Sequence, residues 1–181
     1  MNNRLAMGWI LVVGLALWSC SGAPSPAKAV WTAQPALAEA TNQLFKATLE
    51  PRKGQFPYFT HFFLTLANTS DTDMVVDWNA TQYLFNGKAQ GVLVFEGIDP
   101  KAVGAATVPA ETVVPGTILT RDVMPLRLVA WSPVREKTTE NRGITPGMLP
   151  AGMNGVRLAV RHADGLMAIP LSVNLSSEAA R

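Results

Sequence analysis

Apolar and polar residues alternate with a period of two near the end of the chain, and no other sequence feature constrains the fold as strongly. Val156, Leu158 and Val160 alternate with polar or small neighbours, and a second alternating run covers 171–175. Successive side chains of a β-strand point to opposite faces, so this alternation predicts two half-buried strands. Asp164-Gly165 between the runs favours a tight turn. The sequence therefore predicts an antiparallel hairpin.

Short segments of similar character occur along most of the chain. The other predicted strands lie near Leu44–Leu49, Tyr58–Ala67, Met74–Trp78, Tyr83–Phe85, Gly91–Phe95, Val113–Thr120 and Leu126–Trp131. Asn68–Asp71 closes the aromatic segment with turn formers, and Asn86-Gly87 predicts another hairpin. Roughly seven to nine short strands with almost no helix favour an all-β, antiparallel sandwich over an α/β fold. The body resembles the immunoglobulin-like or transthyretin-like sandwiches of bacterial envelope proteins, with Trp78 as the core tryptophan.

The first residues have the features of an export signal. Arg4 supplies positive charge ahead of the apolar run Ala6–Trp18, whose length of about 13 residues suits a signal peptide. A membrane-spanning helix needs about 20 apolar residues, so we interpret the run as an N-terminal signal helix. The small residues Ser19–Gly22 follow it and suit a peptidase site.

The end of this run, Leu17-Trp18-Ser19-Cys20, resembles the lipobox of bacterial lipoproteins. That resemblance implies that Cys20 becomes the mature N-terminus, with a thioether diacylglyceryl group and an amide-linked acyl chain such as palmitate. Two or three acyl chains anchor a protein far more firmly than one chain does. In such lipoproteins an Asp after the cysteine causes inner-membrane retention, and here Ser21 occupies that position. The resemblance therefore implies the periplasmic face of the outer membrane.

The bulky Trp18 departs from the lipobox pattern, and this leaves an alternative. Cys20 would then be an incidental residue of an ordinary secretory signal, cut at Ser21 or at Ala27-Lys28-Ala29. The later site lies far from the apolar run, and a cut before Pro24 is disfavoured.

Composition bounds the remaining possibilities. With 48% hydrophobic and 15% charged residues, the chain can bury a core, and a single cysteine can form no internal disulfide. The net charge is +2 and the basic residues are interspersed with acidic ones, so no nucleic-acid surface is expected. We divide the chain into a signal peptide (1–19), a lipidated cysteine with a tether (20–35), a β-sandwich domain (36–176) and a tail (177–181).

Candidate catalytic and metal-binding residues are few. His61 lies inside an aromatic strand, where a structural role is the simpler interpretation, and His162 precedes a turn. Neither is accompanied by a known nucleophile motif. Asp71, Asp73 and Asp77 could supply oxygen ligands to calcium, but a polar turn between strands explains them without a metal. We therefore predict no catalytic residues, no metal ion and no cofactor besides the covalent lipid on Cys20.

The segment 132–155 is the candidate partner-binding loop, because loops this long are usually functional or disordered. It combines basic and flexible apolar side chains, namely Arg135, Lys137, Arg142, Met148, Leu149 and Met153. This mixture suits a protein partner. A connector without a binding role is the alternative.

These features lead to three hypotheses for function. The first is a non-enzymatic envelope lipoprotein whose sandwich binds a protein partner or stabilises an envelope assembly. The second is a lipoprotein that captures a glycan or small molecule by stacking it on Trp31, Tyr83 or Trp131. The third and most remote is a hydrolase, which would require a cleft with a perturbed carboxylate or histidine.

Overall fold

The computed structural model describes residues 29–98, 103, 105, 108–131, 144–163 and 165–179. The regular structure of these residues consists of thirteen β-strands and one 3-10 turn. The strands are β1 (Ala29–Gln34), β2 (Ala38–Thr41), β3 (Phe45–Arg52), β4 (His61–Asn68), β5 (Met74–Val76), β6 (Gln82–Phe85), β7 (Lys88–Phe95), β8 (Glu111–Val113), β9 (Ile118–Pro125), β10 (Ala130–Trp131), β11 (Ile144–Thr145), β12 (Gly152–His162) and β13 (Gly165–Ala179). The 3-10 turn covers Leu126–Leu128. The signal helix predicted at the N-terminus lies outside these residues.

Eleven of the strands form one curled antiparallel sheet. Its order is β1-β13-β12-β6-β7-β9-β4-β3-β2, with β5 paired to both β12 and β8, while β10 and β11 pair separately. Strand β13 contacts β2 and β3, so the sheet curls until its two halves face each other, yet β1 and β2 do not pair with each other. The predicted all-β antiparallel class is confirmed. The halves are continuous through β7, which pairs with β6 on one side and β9 on the other.

The core lies between the two facing halves and follows the alternation in the sequence. In β4, Phe62, Leu64 and Leu66 are buried while their neighbours are partly exposed. Strand β4 pairs with both β3 and β9 and is therefore an interior strand of the sheet. The 171–175 run in β13 alternates in the same way and packs into the same core. Burial of apolar area on this scale provides the main driving force for the fold.

Both predicted hairpins are present. Strands β12 and β13 pair from Gly152 opposite Leu175 to His162 opposite Gly165. Between β6 and β7, Asn86 and Gly87 have φ values of 49° and 76°. Positive φ at both central residues is the requirement of the type I′ turn that matches the twist of a two-stranded ribbon.

The body begins earlier and ends later than the sequence indicated. Residues 29–34, expected to belong to the tether, form β1 and pair with β13 from Ala29 opposite Ala179 to Gln34 opposite Asn174. Trp31 is buried in the core, so this segment has an apolar anchor that its Ala-rich surroundings concealed. The expected tail also starts inside β13, because the strand continues to Ala179.

The region 113–131 differs from the prediction in its strand boundaries. Pro115-Gly116 does not interrupt one strand but forms a turn between β8 and β9, closed by the Thr117 amide donating to the Val114 carbonyl at 3.1 Å. Strand β9 then continues to Pro125, and the strand predicted at Leu126–Trp131 is a 3-10 turn followed by the two residues of β10. Proline lacks the N–H that a continuing ladder would use, which explains the stop at Pro125.

Two ends of the curled sheet can be distinguished. We call the end that holds Ala29 and Ala179 the terminus end; it includes the β3–β4 loop (53–60) and the turn at 86–87. The Lys53 ammonium donates to the Trp31 carbonyl at 2.8 Å and ties that loop to β1. We call the opposite end the hairpin end; it includes the loop 69–73, the turn 114–117 and the tip of the β12–β13 hairpin.

Candidate functional site

The structure covers only part of the predicted partner-binding loop. The anchor and the three basic residues, Cys20, Arg135, Lys137 and Arg142, lie outside the described residues. Met148 and Met153 are exposed, as a contact role requires. The prediction that Leu149 is a contact residue is wrong, because its side chain is 0% exposed and packs into the core.

The burial of Leu149 follows from how its segment docks. The Leu149 amide donates to the Phe59 carbonyl at 2.8 Å, so residues 146–150 lie against the β3–β4 loop at the terminus end. Buried backbone N–H groups need a hydrogen-bond partner, and the Phe59 carbonyl provides one for Leu149. Met148 consequently faces solvent while Leu149 fills the core. The loop composition in the sequence carried no sign of this arrangement.

The aromatic residues considered as ligand platforms are mostly internal. Trp31 and Tyr83 are both buried, and the side chain of Trp131 lies outside the described part of the structure. Trp78 is the core tryptophan that the sequence predicted. Its indole N–H donates to the Glu111 carboxylate at 3.1 Å, and its ring packs on Phe95 at 4.6 Å between centroids.

His61 lies between a hydroxyl and a carboxylate, an arrangement that resembles a catalytic triad. Its Nδ1 lies 2.8 Å from the Thr60 hydroxyl, and its Nε2 lies 3.6 Å from the Asp122 carboxylate. Burial lowers the pKa of His61; the Asp122 carboxylate opposes this shift, and the Arg52 guanidinium reinforces it. A hydroxyl, a base and a carboxylate in series can support nucleophilic catalysis. However, Thr60 is only 1% exposed, so a substrate has little access to its hydroxyl.

The aspartates considered for calcium are used separately. Asp77 pairs with Arg161, and its Oδ1 accepts the backbone amides of Asn79 and Ala80 at 3.1 Å each, so it shapes the turn before β6. Asp71 and Asp73 are exposed on the loop 69–73. Among the residues described, no group of three or more His, Cys, Asp or Glu side chains is placed to hold a metal ion.

Asn68 organises the hairpin end, a role that the sequence did not reveal. Its side-chain amide donates to the carbonyls of Thr72 and Val113, each at 2.8 Å, and its Oδ1 accepts the Ser70 amide at 3.0 Å and the Ser70 hydroxyl at 2.7 Å. The residue is buried, so this complete set of partners removes the cost of burying a polar group. The available signal was an asparagine at a strand end before a Thr-Ser-Asp turn.

Further hydrogen bonds join the loops of this end. The Gly116 amide donates to the Asn68 carbonyl at 2.9 Å, which links the turn 114–117 to β4. The His162 Nε2 lies 2.6 Å from the Thr72 hydroxyl, which links the β12–β13 tip to the loop 69–73. The loop 69–73, the turn 114–117 and the β12–β13 tip are thus held to one another.

Three large apolar side chains are exposed on this ordered end. Ile118 is 65% exposed, Leu166 is 64% exposed and Val114 is 47% exposed. Val114 and Ile118 flank one turn, and Asp71 and Asp73 lie on the adjoining loop. We call these five residues the hairpin-end surface; it is the candidate functional site.

The strand register relates two apolar members of this surface, Leu166 and Val114, across neighbouring strands. Leu166 pairs with Arg161, Arg161 with Val75, and Val75 with Thr112. Residues opposite one another across a ladder share a face, and strands are spaced by about 4.8 Å, so this row spans about 14 Å. Val114 follows two residues after Thr112. Leu166 and Val114 therefore border one outer row, and Ile118, which pairs with Ala67 in the other half of the sheet, adjoins this row through the turn 114–117.

Comparison of the chain with protein-family models, with curated proteins and with solved structures gives no match. Within the described residues, no helix has the length and hydropathy that crossing a membrane requires.

Proposed function

We propose that this protein is a non-enzymatic envelope lipoprotein that is anchored through a lipid on Cys20 and binds a protein partner at the hairpin-end surface. The lipid is the only non-protein group in this proposal, and the periplasmic face of the outer membrane is the proposed location. The lipobox-like sequence supports the anchor, and the hairpin-end surface supports the partner.

One observation carries the binding role: exposed apolar residues lie in or next to turns that are already fixed by hydrogen bonds. Single exposed apolar residues are ordinary on protein surfaces, whereas several on one ordered surface are typical of interaction sites. Because hydrogen bonds of Asn68 already order the turns, binding a partner costs little further conformational entropy. Ile118 and Leu166 are suitable anchors for a partner's apolar pocket, with Asp71 and Asp73 as a polar rim.

The direction in which the chain leaves the sheet supports this assignment. Ala29 lies at the terminus end, so a lipid attached at Cys20 holds that end near the membrane. The hairpin end then points away from the lipid, where other envelope proteins can reach it. The proposed partner site thus differs from the loop at 132–155, whose described residues 146–150 lie at the terminus end.

We also propose a sandwich type for the fold and rank the two alternative functions below partner binding. The passage from β1, which pairs with β13, to β2, which pairs with β3, supports an immunoglobulin-like or transthyretin-like sandwich, since one segment serves both halves. Ligand capture by stacking is less well supported, because Trp31 and Tyr83 are buried. The low exposure of Thr60 likewise gives little support to a hydrolase.

Site-specific photocrosslinking in intact cells tests the proposed surface. Benzoylphenylalanine is introduced at Ile118 or at Leu166, and crosslinked products are detected after irradiation. The proposal predicts one product of the same mass from both positions. In the Leu166 crosslinker strain, Ile118→Lys should reduce its yield at least about tenfold, since burying a charge at an interface anchor costs about 2 kcal/mol or more.

Val30 provides the matched control position, because it is 51% exposed but lies in β1 near the terminus end. A crosslinker at Val30 should not give the same product. Equal crosslinking from all three positions, or none from Ile118 and Leu166, would contradict the proposed surface.

A further inference from the structure

We infer that the terminus end docks onto anionic lipid headgroups, so that the anchored protein stands on its membrane with the hairpin end outward. This inference rests on the proposed anchoring at Cys20 and adds a second, reversible contact with the same membrane. It depends on three independent observations: the length of chain to the anchor, the distribution of charge, and the side chains at the terminus end.

The chain between the anchor and the sheet is short. Cys20 and Ala29 are separated by nine residue steps in the sequence, which reach at most about 32 Å when fully extended. The terminus end therefore stays within roughly the width of a small domain from the lipid surface. At that distance a short excursion brings it into contact with the headgroups.

Charge differs between the two ends. The terminus end carries Arg52 and Lys53 beside the β3–β4 loop, Lys88 after the Asn-Gly turn, and Arg127 in the 3-10 turn, where it hydrogen-bonds Gln90. Against these four cations stand three described carboxylates: Glu50 is paired with Arg52 at 3.0 Å, Asp122 lies beside His61, and Glu178 is exposed near the end of β13. Anionic headgroups attract such cations over about one Debye length.

The hairpin end has the opposite character. Asp71 and Asp73 are exposed there, while the nearby cations Lys46 and Arg161 are paired with Glu39 and Asp77. A negative membrane surface repels this end and attracts the other. The molecule is thus polarised along the direction in which the anchor would orient it.

The side chains at the terminus end suit an interface between water and lipid. Met148 is exposed, and Phe56 and Tyr58 on the β3–β4 loop stack at 5.2 Å while remaining partly exposed. The Leu149–Phe59 hydrogen bond holds the two segments side by side. Aromatic rings and flexible methionine side chains, flanked by Lys and Arg, are favoured at the headgroup level.

Fluorescence quenching on vesicles tests the docking. The lipidated protein, with an environment-sensitive fluorophore at Met148→Cys or, as the matched control, Leu166→Cys, is reconstituted into vesicles containing a headgroup quencher. In vesicles of phosphatidylcholine with one quarter phosphatidylglycerol, we expect at least threefold stronger quenching at position 148 than at 166. The difference should shrink in pure phosphatidylcholine and at high salt, because the attraction is electrostatic.

A charge variant tests the mechanism. Each cation near an anionic surface contributes about fivefold to docking, so Lys88→Ala should lower the docked-to-undocked ratio by about that factor. Lys46→Ala removes the same charge at the hairpin end and should leave the ratio unchanged. Equal quenching at 148 and 166, or equal effects of the two lysine variants, would overturn the inference.

The intact mass of the purified mature protein separates this inference from the proposed function. If Cys20 carries no lipid, the proposed anchor fails, and docking is then scored by co-sedimentation of the added protein with the same vesicles. Docking would still be supported if the protein binds several-fold more to the anionic vesicles than to the neutral ones and if Lys88→Ala loses this preference. Equal or absent binding would overturn it.

Discussion

At the scale of single residues, the buried Tyr83–Asn154 pair shows how polar groups fix the entry to β12. The Tyr83 hydroxyl donates to Asn154 Oδ1 at 2.5 Å, and the Asn154 side-chain amide donates to the carbonyls of Pro150 at 2.8 Å and Gly152 at 2.9 Å. Burial raises the pKa of Tyr83 to about 12, an effect that nearby Arg127 partly offsets. The neutral phenol is therefore the form that the fold requires.

Replacing Tyr83→Phe should lower the free energy of unfolding by about 1–2 kcal/mol at pH 7, because a buried acceptor loses its donor. The wild-type protein should also lose stability as the pH rises from about 10 to 12. In that window the unfolded tyrosine, with a pKa near 10, has released a proton that the folded one retains.

Chemical denaturation at pH 8, 10 and 11.5 measures both effects. The Tyr83→Phe variant lacks the titrating phenol, so its stability should fall less steeply with pH than that of the wild type. Parallel pH dependences for the two proteins would refute the assigned role of the phenol.

Prediction from sequence succeeded for residues whose burial follows local periodicity and failed where burial depends on distant contacts. Val156, Leu158 and Val160 were predicted to face the core from their alternation with polar or small neighbours, and all three are buried. Leu149 was assigned to a contact surface, and it is buried only because its backbone pairs with Phe59, some ninety residues earlier. Asn68 was predicted only as a turn former, since its four hydrogen bonds require the turn geometry to be known.

At the scale of elements, β12 shows why glycine-containing strands are hard to predict. The alternating pattern is evident only from Val156, but the strand starts at Gly152 and includes Gly155. A Cβ atom at Gly155 would lie 2.3 Å from the Leu171 carbonyl oxygen and 2.5 Å from the Ser172 hydroxyl. Glycine in a strand interior weakens the sequence signal but permits such a close approach of neighbouring backbone.

Gly155→Ala should destabilise the fold by about 3 kcal/mol, the upper part of the range for overpacked sites, because the backbone of β13 must move away. Gly87→Ala is the matched control. An alanine there meets no atom within 4 Å, and the cost of its positive φ is about 1 kcal/mol. Denaturant unfolding of both variants measures the difference, and a Gly155→Ala cost no larger than that of Gly87→Ala would disprove the close packing.

At the scale of the whole molecule, local pattern indicated most of the strands but few of their partners. Both hairpins were predicted because their strands are neighbours in sequence, whereas the pairing of β1 with β13 joins the two ends of the described chain. That pairing also places the exit of the N-terminal segment at one end of the sheet. The orientation proposed for the anchored protein follows from this long-range contact, together with the lipid expected on Cys20.

The most direct test of the account is the intact mass and N-terminal peptide of the mature protein purified from membranes. We predict that the chain begins at Cys20 and carries diacylglyceryl and acyl groups, and that Cys20→Ser abolishes lipid labelling and delays processing. A mature chain that begins at Ser21 or beyond, or an unmodified cysteine with membrane fractionation unchanged in Cys20→Ser, would contradict the account.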